Sequence, residues 1–443
     1  MSRRRVVITG LGPVTPLAVG ARDFWNALLE GRSGIRRLQA FDPARCESQI
    51  GGEIDGIKVA DYVPKSYRKA AKIMARDIVL AVVAAHQAVQ DAGLRTKCLL
   101  ERGEVQGDRN VDSTRLGANI GAGLICADLP ELAEAFCSAV EDGQFSLNRW
   151  GAEGMNNLTP LWLLKFLPNM LACHVTIVHD AQGPSNTITC GEASSHLAIG
   201  EAFRTIARGT ADVCICGGAE SKTNPMALVR QCLGKRLSTR NDSPATACRP
   251  FAADRDGTVV SEGGGLVVLE ELEHALGRDA RIYAEVVGAG ASSDAGRPGE
   301  LPPDERGLAL ALRKALKDAG VGPDQVDLVG ASGCGLIERD RLEAAAIRDV
   351  LGERRAQVPV LSVKGGLGNN GAGSGAVDFI AAVLALYNTT IPPAINSAPI
   401  DPECGLKLVT GGPVDARIDV VLSAAYALGG GQNATLVVKR FHE

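Results

Sequence analysis

Apolar runs of four to seven residues alternate with longer stretches of helical periodicity along the chain, which predicts α/β architecture. Val6–Thr9 reads as a buried strand ended by Gly10, Gly12 and Pro13, and Asp23–Leu29 as the helix after its loop. Ile73, Met74, Ile78, Val82, Ala85 and Val89 recur at helical spacing, and Gly93 stops that helix. The charged, aperiodic stretch 95–115 is expected to be an exposed excursion, with further polar loops at 238–257 and 293–306.

The pattern also echoes itself. Ser185–Thr189 reads as a strand, followed by a turn at Cys190, a helix to Arg208, the strand Asp212–Cys216 and Gly217-Gly218. Val358–Ser362, a glycine-rich turn, the helix Ala376–Leu386, the strand Asp419–Leu422 and Gly429-Gly430 repeat that order. Two similar halves around a shared site are expected, divided as 1–275 and 276–443.

Composition narrows the function classes. Of 443 residues, 45% are hydrophobic and 22% charged, enough for a large core. A net charge of −4 without a basic stripe, and only 4% aromatics, argue against a nucleic-acid or membrane-surface protein. The short apolar run after Arg3-Arg4-Arg5 does not read as a signal peptide, and no stretch is expected to reach the length that spans a bilayer. Twelve cysteines contain no C-x-x-C pair. Reduced thiols in a cytoplasmic protein, with no structural metal, are the expectation.

Cys190 is the sharpest chemical feature, lying between an apparent strand and a helix expected to begin near Gly191. A thiol at a helix N-terminus faces free N–H groups that lower its pKa, so Cys190 should be the most reactive of the twelve. The six histidines leave residues 275–441 without an imidazole. His86 and His196 fit packing roles. The glycine-rich turns 330–335 and 365–375 lack both a dinucleotide fingerprint and a Walker lysine, so no nucleotide site is expected. Lys364 directly follows an apolar strand and is either buried in an ion pair or exposed at the strand end.

Several motifs in order resemble β-ketoacyl-acyl-carrier-protein synthases of the elongating type. They include Ile8-Thr-Gly-Leu-Gly12, Gly183-Pro-Ser-Asn-Thr-Ile-Thr-Cys190, Gly217-Gly-Ala-Glu220, Asp254-Arg-Asp-Gly257 and Asp401-Pro-Glu-Cys404. The resemblance covers almost the whole chain. It implies the thiolase fold, with mixed sheets layered between helices (αβαβα), and a dimer formed through the strand Ser185–Thr189. It also implies Cys190 as the acyl acceptor and acyl carrier protein as partner. No cofactor of the chain's own is implied, since phosphopantetheine arrives on the carrier.

The sequence departs from the family at two histidines that stabilise the enolate of malonyl-carrier protein. Ser332 stands in place of the first and Asn369 in place of the second, while Cys334 and Leu336 replace the pantetheine-holding threonines. Asp340, Glu343, Lys364 and Asp378 align with the family's supporting charges. The turn Tyr426-Ala-Leu-Gly-Gly430 carries one extra residue, which leaves the gate and oxyanion position near Leu428-Gly429 open. Three readings follow: an acyltransferase on carrier-protein thioesters with impaired condensation, a non-condensing chain-length-factor-like partner of a complete ketosynthase (making a heterodimer rather than a homodimer), and a thiolase-fold hydrolase.

Overall fold

The computed structural model describes residues 3–297 and 300–442. Five strands of the first half pair in the order Val6–Val14, Val260–Glu271, Val213–Ser221, Leu116–Ala122, Ser185–Ile188. Five of the second half pair as Ala284–Ser293, Gln432–Lys439, Val420–Tyr426, Leu328–Gly330, Pro359–Leu361. In both, the first two junctions are antiparallel and the last two parallel. Each first strand even shifts register at the equivalent place, between Ile8 and Gly10 and between Val286 and Gly288. The halves join where Val6–Ile8 pairs antiparallel with Ala284–Val286.

Glycines in those two first strands explain the repeat. A Cβ at Gly12 would lie 2.1 Å from the Ala84 carbonyl oxygen, and one at Gly290 2.2 Å from that of Ala311. Side chains there would push off the helices Arg76–Asp91 and Arg306–Ala319, so close packing requires glycine. This also corrects the expected end of the first strand. Gly10, Gly12 and Pro13 do not break it, and pairing with Val260–Glu271 carries it to Val14.

Helices Ser194–Ala207 and Ser374–Asn388 form the inner layer, packed against each other, the first buried along most of its length and the second almost wholly buried up to Leu386. The stretch Gly371–Asn388 is apolar and long enough to cross a bilayer, against expectation, but it is enclosed by protein. Two further expectations change. The helix expected from Ile73 begins at Arg76, after a 3₁₀ turn. The stretch 95–115 is not wholly excursion, because helix Lys97–Arg102 buries Cys98 and Leu99. In the loop 293–306, Pro298 and Gly299 lie outside the described residues.

Candidate active site

The edge strand Ser185–Ile188 leads into Thr189-Cys190-Gly191-Glu192 and then the inner helix. Gly191 has φ +56°, a left-handed turn that favours glycine. Ser194 closes the turn: its Oγ accepts the Cys190 N–H at 2.7 Å and donates to the Gly191 carbonyl at 2.6 Å. Gly191 faces the other half, since a Cβ there would lie 3.4 Å from that of Ala427. A cavity of about 700 Å3 opens here, lined from one half by Cys190, Glu192 and Lys222 and from the other by Ala427, Gly429 and Gly430.

Cys190 is half-buried, and that burial pushes its thiol up. The expected lowering by a helix N-terminus is thereby corrected. The helix starts four residues later, at Ser194, and the Cys190 N–H is already donated to Ser194.

The group at the centre is one that the sequence reading missed. Glu192 is buried, and its Oε2 accepts the Leu428 N–H at 3.0 Å. Its Oε1 accepts Lys222 Nζ at 2.9 Å and Asn369 Nδ2 at 3.2 Å. Burial opposes ionisation, but the charge of Lys222 and the Leu428 N–H overcome it and hold the carboxyl down at about 2. A charged residue within the small-residue run Gly191-Glu-Ala-Ser-Ser195 was the available signal.

Asn369 therefore reaches Glu192, and its Oδ1 accepts the Gly371 N–H at 2.8 Å. Ser332 is buried on another network. Lys364 Nζ donates to its carbonyl at 2.8 Å and its Oγ at 3.2 Å, and forms an ion pair with Asp378. Of the two alternatives for Lys364, the buried ion pair is the one found. Glu343 accepts the N–H groups of Ser332 and Gly333 at 2.6 and 2.8 Å and the Tyr426 hydroxyl at 3.1 Å. Asp340 accepts those of Phe251 and Cys334, each at 2.8 Å, with Arg255 at 3.4 Å. Burial pushes Glu343 up to about 7 and Asp378 to about 6. These carboxylates brace the loop 332–335 and do not line the Cys190 cavity.

His196 lies on the inner helix, its Nε2 2.9 Å from Ser423 Oγ and its ring edge-on to Phe379. Burial first, then the Lys364 charge, lowers its pKa to about 3. The structure thus ties Asn369 to Glu192, two residues from Cys190 in the same cavity wall, and sets Ser332, Lys364, Asp378, Asp340 and Glu343 apart in a second cluster.

A cysteine turn and a glycine-rich turn from opposite halves, meeting at one cavity of a two-fold α/β sandwich, define a thiolase-fold protein of the ketosynthase type. Residues 3–275 match the β-ketoacyl synthase N-terminal domain and residues 283–398 its C-terminal domain. The chain belongs to the β-ketoacyl synthase family. It is 36% identical over 441 residues to 3-oxoacyl-[acyl-carrier-protein] synthase 2 of Synechocystis sp., covering 100% of this chain and 99% of that one. It is 35% identical over 437 residues, 98% of each chain, to a putative polyketide β-ketoacyl synthase 1 of Streptomyces halstedii. Among solved structures, the ishigamide ketosynthase/chain length factor superimposes with a TM-score of 0.83 at 29% identity, covering 100% of both chains.

Proposed function

We propose that this chain is a ketosynthase-fold subunit acting on acyl-carrier-protein thioesters in fatty acid or polyketide synthesis, without decarboxylative condensation of its own. It works beside a complete ketosynthase, as a chain-length-factor-like partner. One observation carries this reading: neither residue in the histidine positions offers an imidazole, and both are tied into the protein's own networks. Asn369 Nδ2 donates to Glu192 Oε1, and Ser332 Oγ accepts Lys364 Nζ. His196 faces Ser423 and stays neutral. Losing one preorganised donor costs about 10²–10³ in rate, so losing two removes normal turnover.

Pairing is supported by the edge strand Ser185–Ile188, which among the described residues hydrogen-bonds on one side only. Exposed Leu124, Phe136 and Leu163 add apolar surface for a second subunit to cover. The pantetheine arm comes on the carrier protein, and the chain needs no cofactor of its own. Its place is the cytoplasm, with the carrier.

Acyl transfer to Cys190 is the second reading, favoured by a half-buried thiol lining the cavity. The deciding measurement is release of labelled carbon dioxide from malonyl-carrier protein. We expect the isolated protein to fall more than tenfold below a typical enzyme's roughly 10 s⁻¹. Turnover at that level would overturn the reading.

A further inference from the structure

We propose that Cys46 and Cys232 form a redox-sensitive dithiol, which a low-molecular-weight disulfide such as oxidised glutathione closes to an intramolecular disulfide. Cys46 lies in the loop after strand Ile35–Arg37, and Cys232 in the last turn of helix Pro225–Leu233. Both side chains pack against one small apolar cluster, Leu38, Leu228, Leu237 and Val260. The two thiols are within hydrogen-bonding reach of each other. Neither lines the Cys190 cavity.

Hydrogen bonds on both sides hold the two sulfurs in place. The Cys46 N–H donates to the Pro43 carbonyl at 2.8 Å. Asn241 grips the residues that follow, its Oδ1 accepting the Gln49 N–H at 2.8 Å and its Nδ2 donating to the Glu47 carbonyl at 2.9 Å. Asn224 caps the helix start by accepting the Ala227 N–H at 2.9 Å, and the Cys232 carbonyl accepts the Lys235 N–H at 2.9 Å. Both cysteines are partly exposed, so a small reagent can reach them. Cys214 and Cys216, which also neighbour each other, are sealed in the core. Burial first, and then the Cys232 thiol, raises the Cys46 thiol, which slows its attack at neutral pH and favours exchange in mild alkali. In a reducing compartment such a bond is transient and redox-sensing rather than structural.

The chemistry is two successive thiol–disulfide exchanges. One cysteine gives up its proton and bonds a glutathione sulfur; the glutathione S–S bond breaks, and the leaving half takes up that proton. The second cysteine then attacks the sulfur of the first, closing the Cys46–Cys232 bond and releasing the second glutathione with its proton. The protein loses two hydrogens, and one oxidised glutathione becomes two reduced ones. Gln231, beside Cys232, and Arg230 on the same turn line the Cys190 cavity. The bond therefore ties that part of the cavity wall to the loop around Cys46.

The test incubates the folded, reduced protein with oxidised glutathione in mild alkali, blocks remaining thiols with N-ethylmaleimide, and maps peptides without reduction. The Cys46–Cys232 cross-link should exceed any other intramolecular cross-link at least tenfold, and dithiothreitol should reverse it. Cys46→Ser should leave Cys232 as a mixed disulfide with glutathione, and Cys232→Ser should leave Cys46 so. Wild type carrying only mixed disulfides at these two positions would overturn the inference. So would a cross-link that forms as readily in concentrated urea as in the folded protein, because the fold would then not be what pairs the thiols. Both of these outcomes are read on the wild type, so a serine variant that fails to fold leaves the inference open to refutation.

Discussion

The imidazole Nε2 of His196 lies 2.9 Å from the hydroxyl of Ser423, tying the inner helix of the first half to a strand of the second. Both residues are fully buried, and the remaining ring nitrogen, Nδ1, has no hydrogen-bond partner. The ring is thus a neutral structural wedge between the halves.

His196→Ala should destabilise the protein by about 2–4 kcal/mol, through a core cavity and an unpaired Ser423 hydroxyl. Equilibrium urea unfolding measures this. The pH dependence has a definite sign. With a folded pKa of about 3 against an ordinary 6.5, the unfolded wild type binds a proton that the folded one refuses, so stability is lost as pH falls below 6.5 toward 3. The alanine variant lacks that loss. The gap between wild type and variant should therefore narrow from pH 7.5 to pH 5.

Lys364 and Asp378 form an ion pair with both side chains almost completely buried. Lys364→Ala leaves Asp378 uncompensated and removes two bonds to Ser332, and should cost about 3–5 kcal/mol. Lys364→Met with Asp378→Leu should recover much of that loss in the same unfolding assay. A double variant no better than the single one would mean that the bonds to Ser332, rather than the uncompensated charge, dominate.

Asp77 is buried near Glu220 and Glu262, and its Oδ1 accepts the Ser221 N–H at 3.0 Å. Burial first, then the Glu220 charge, pushes its carboxyl up to about 8 from 3.8. The folded state holds a proton that the unfolded chain has lost, so this residue makes the protein less stable as pH rises from about 4 to 8. Asp77→Asn should gain on wild type over that window by up to about 1.4 kcal/mol per pH unit. The gain should level off above pH 8. Urea midpoints at pH 6, 7, 8 and 9 test this.

Among the cysteines, Cys137 is exposed, Cys190 half-buried with a raised thiol, and Cys334 fully buried with its thiol pushed far up. Iodoacetamide should therefore modify Cys137 first and leave Cys334 intact, which reverses the sequence-based expectation for Cys190. Time-resolved peptide mapping gives the order, and labelling of Cys190 ahead of Cys137 would restore that expectation.

Local periodicity in the sequence determined the element types and the two-half repeat, because apolar spacing and turn residues act over a few neighbours, while the family was carried by the resemblance of its motifs. The strand–turn–helix around Cys190, the inner helix at 374–388 and the burial of His196 were legible for that reason. Tertiary structure alone decided what the site does with those parts. Glu192 meets Leu428 across 236 residues, and Asn369 is turned onto that same carboxylate. Lys364 finds Asp378 and Ser332 inside the core. The first strand continues through Gly10 and Gly12 because a helix packs where side chains would stand. Spacing along the chain specifies what a segment is. Which hydrogen-bond donors remain free depends on how the two halves desolvate and satisfy each other's polar groups, and that exists only once they have packed.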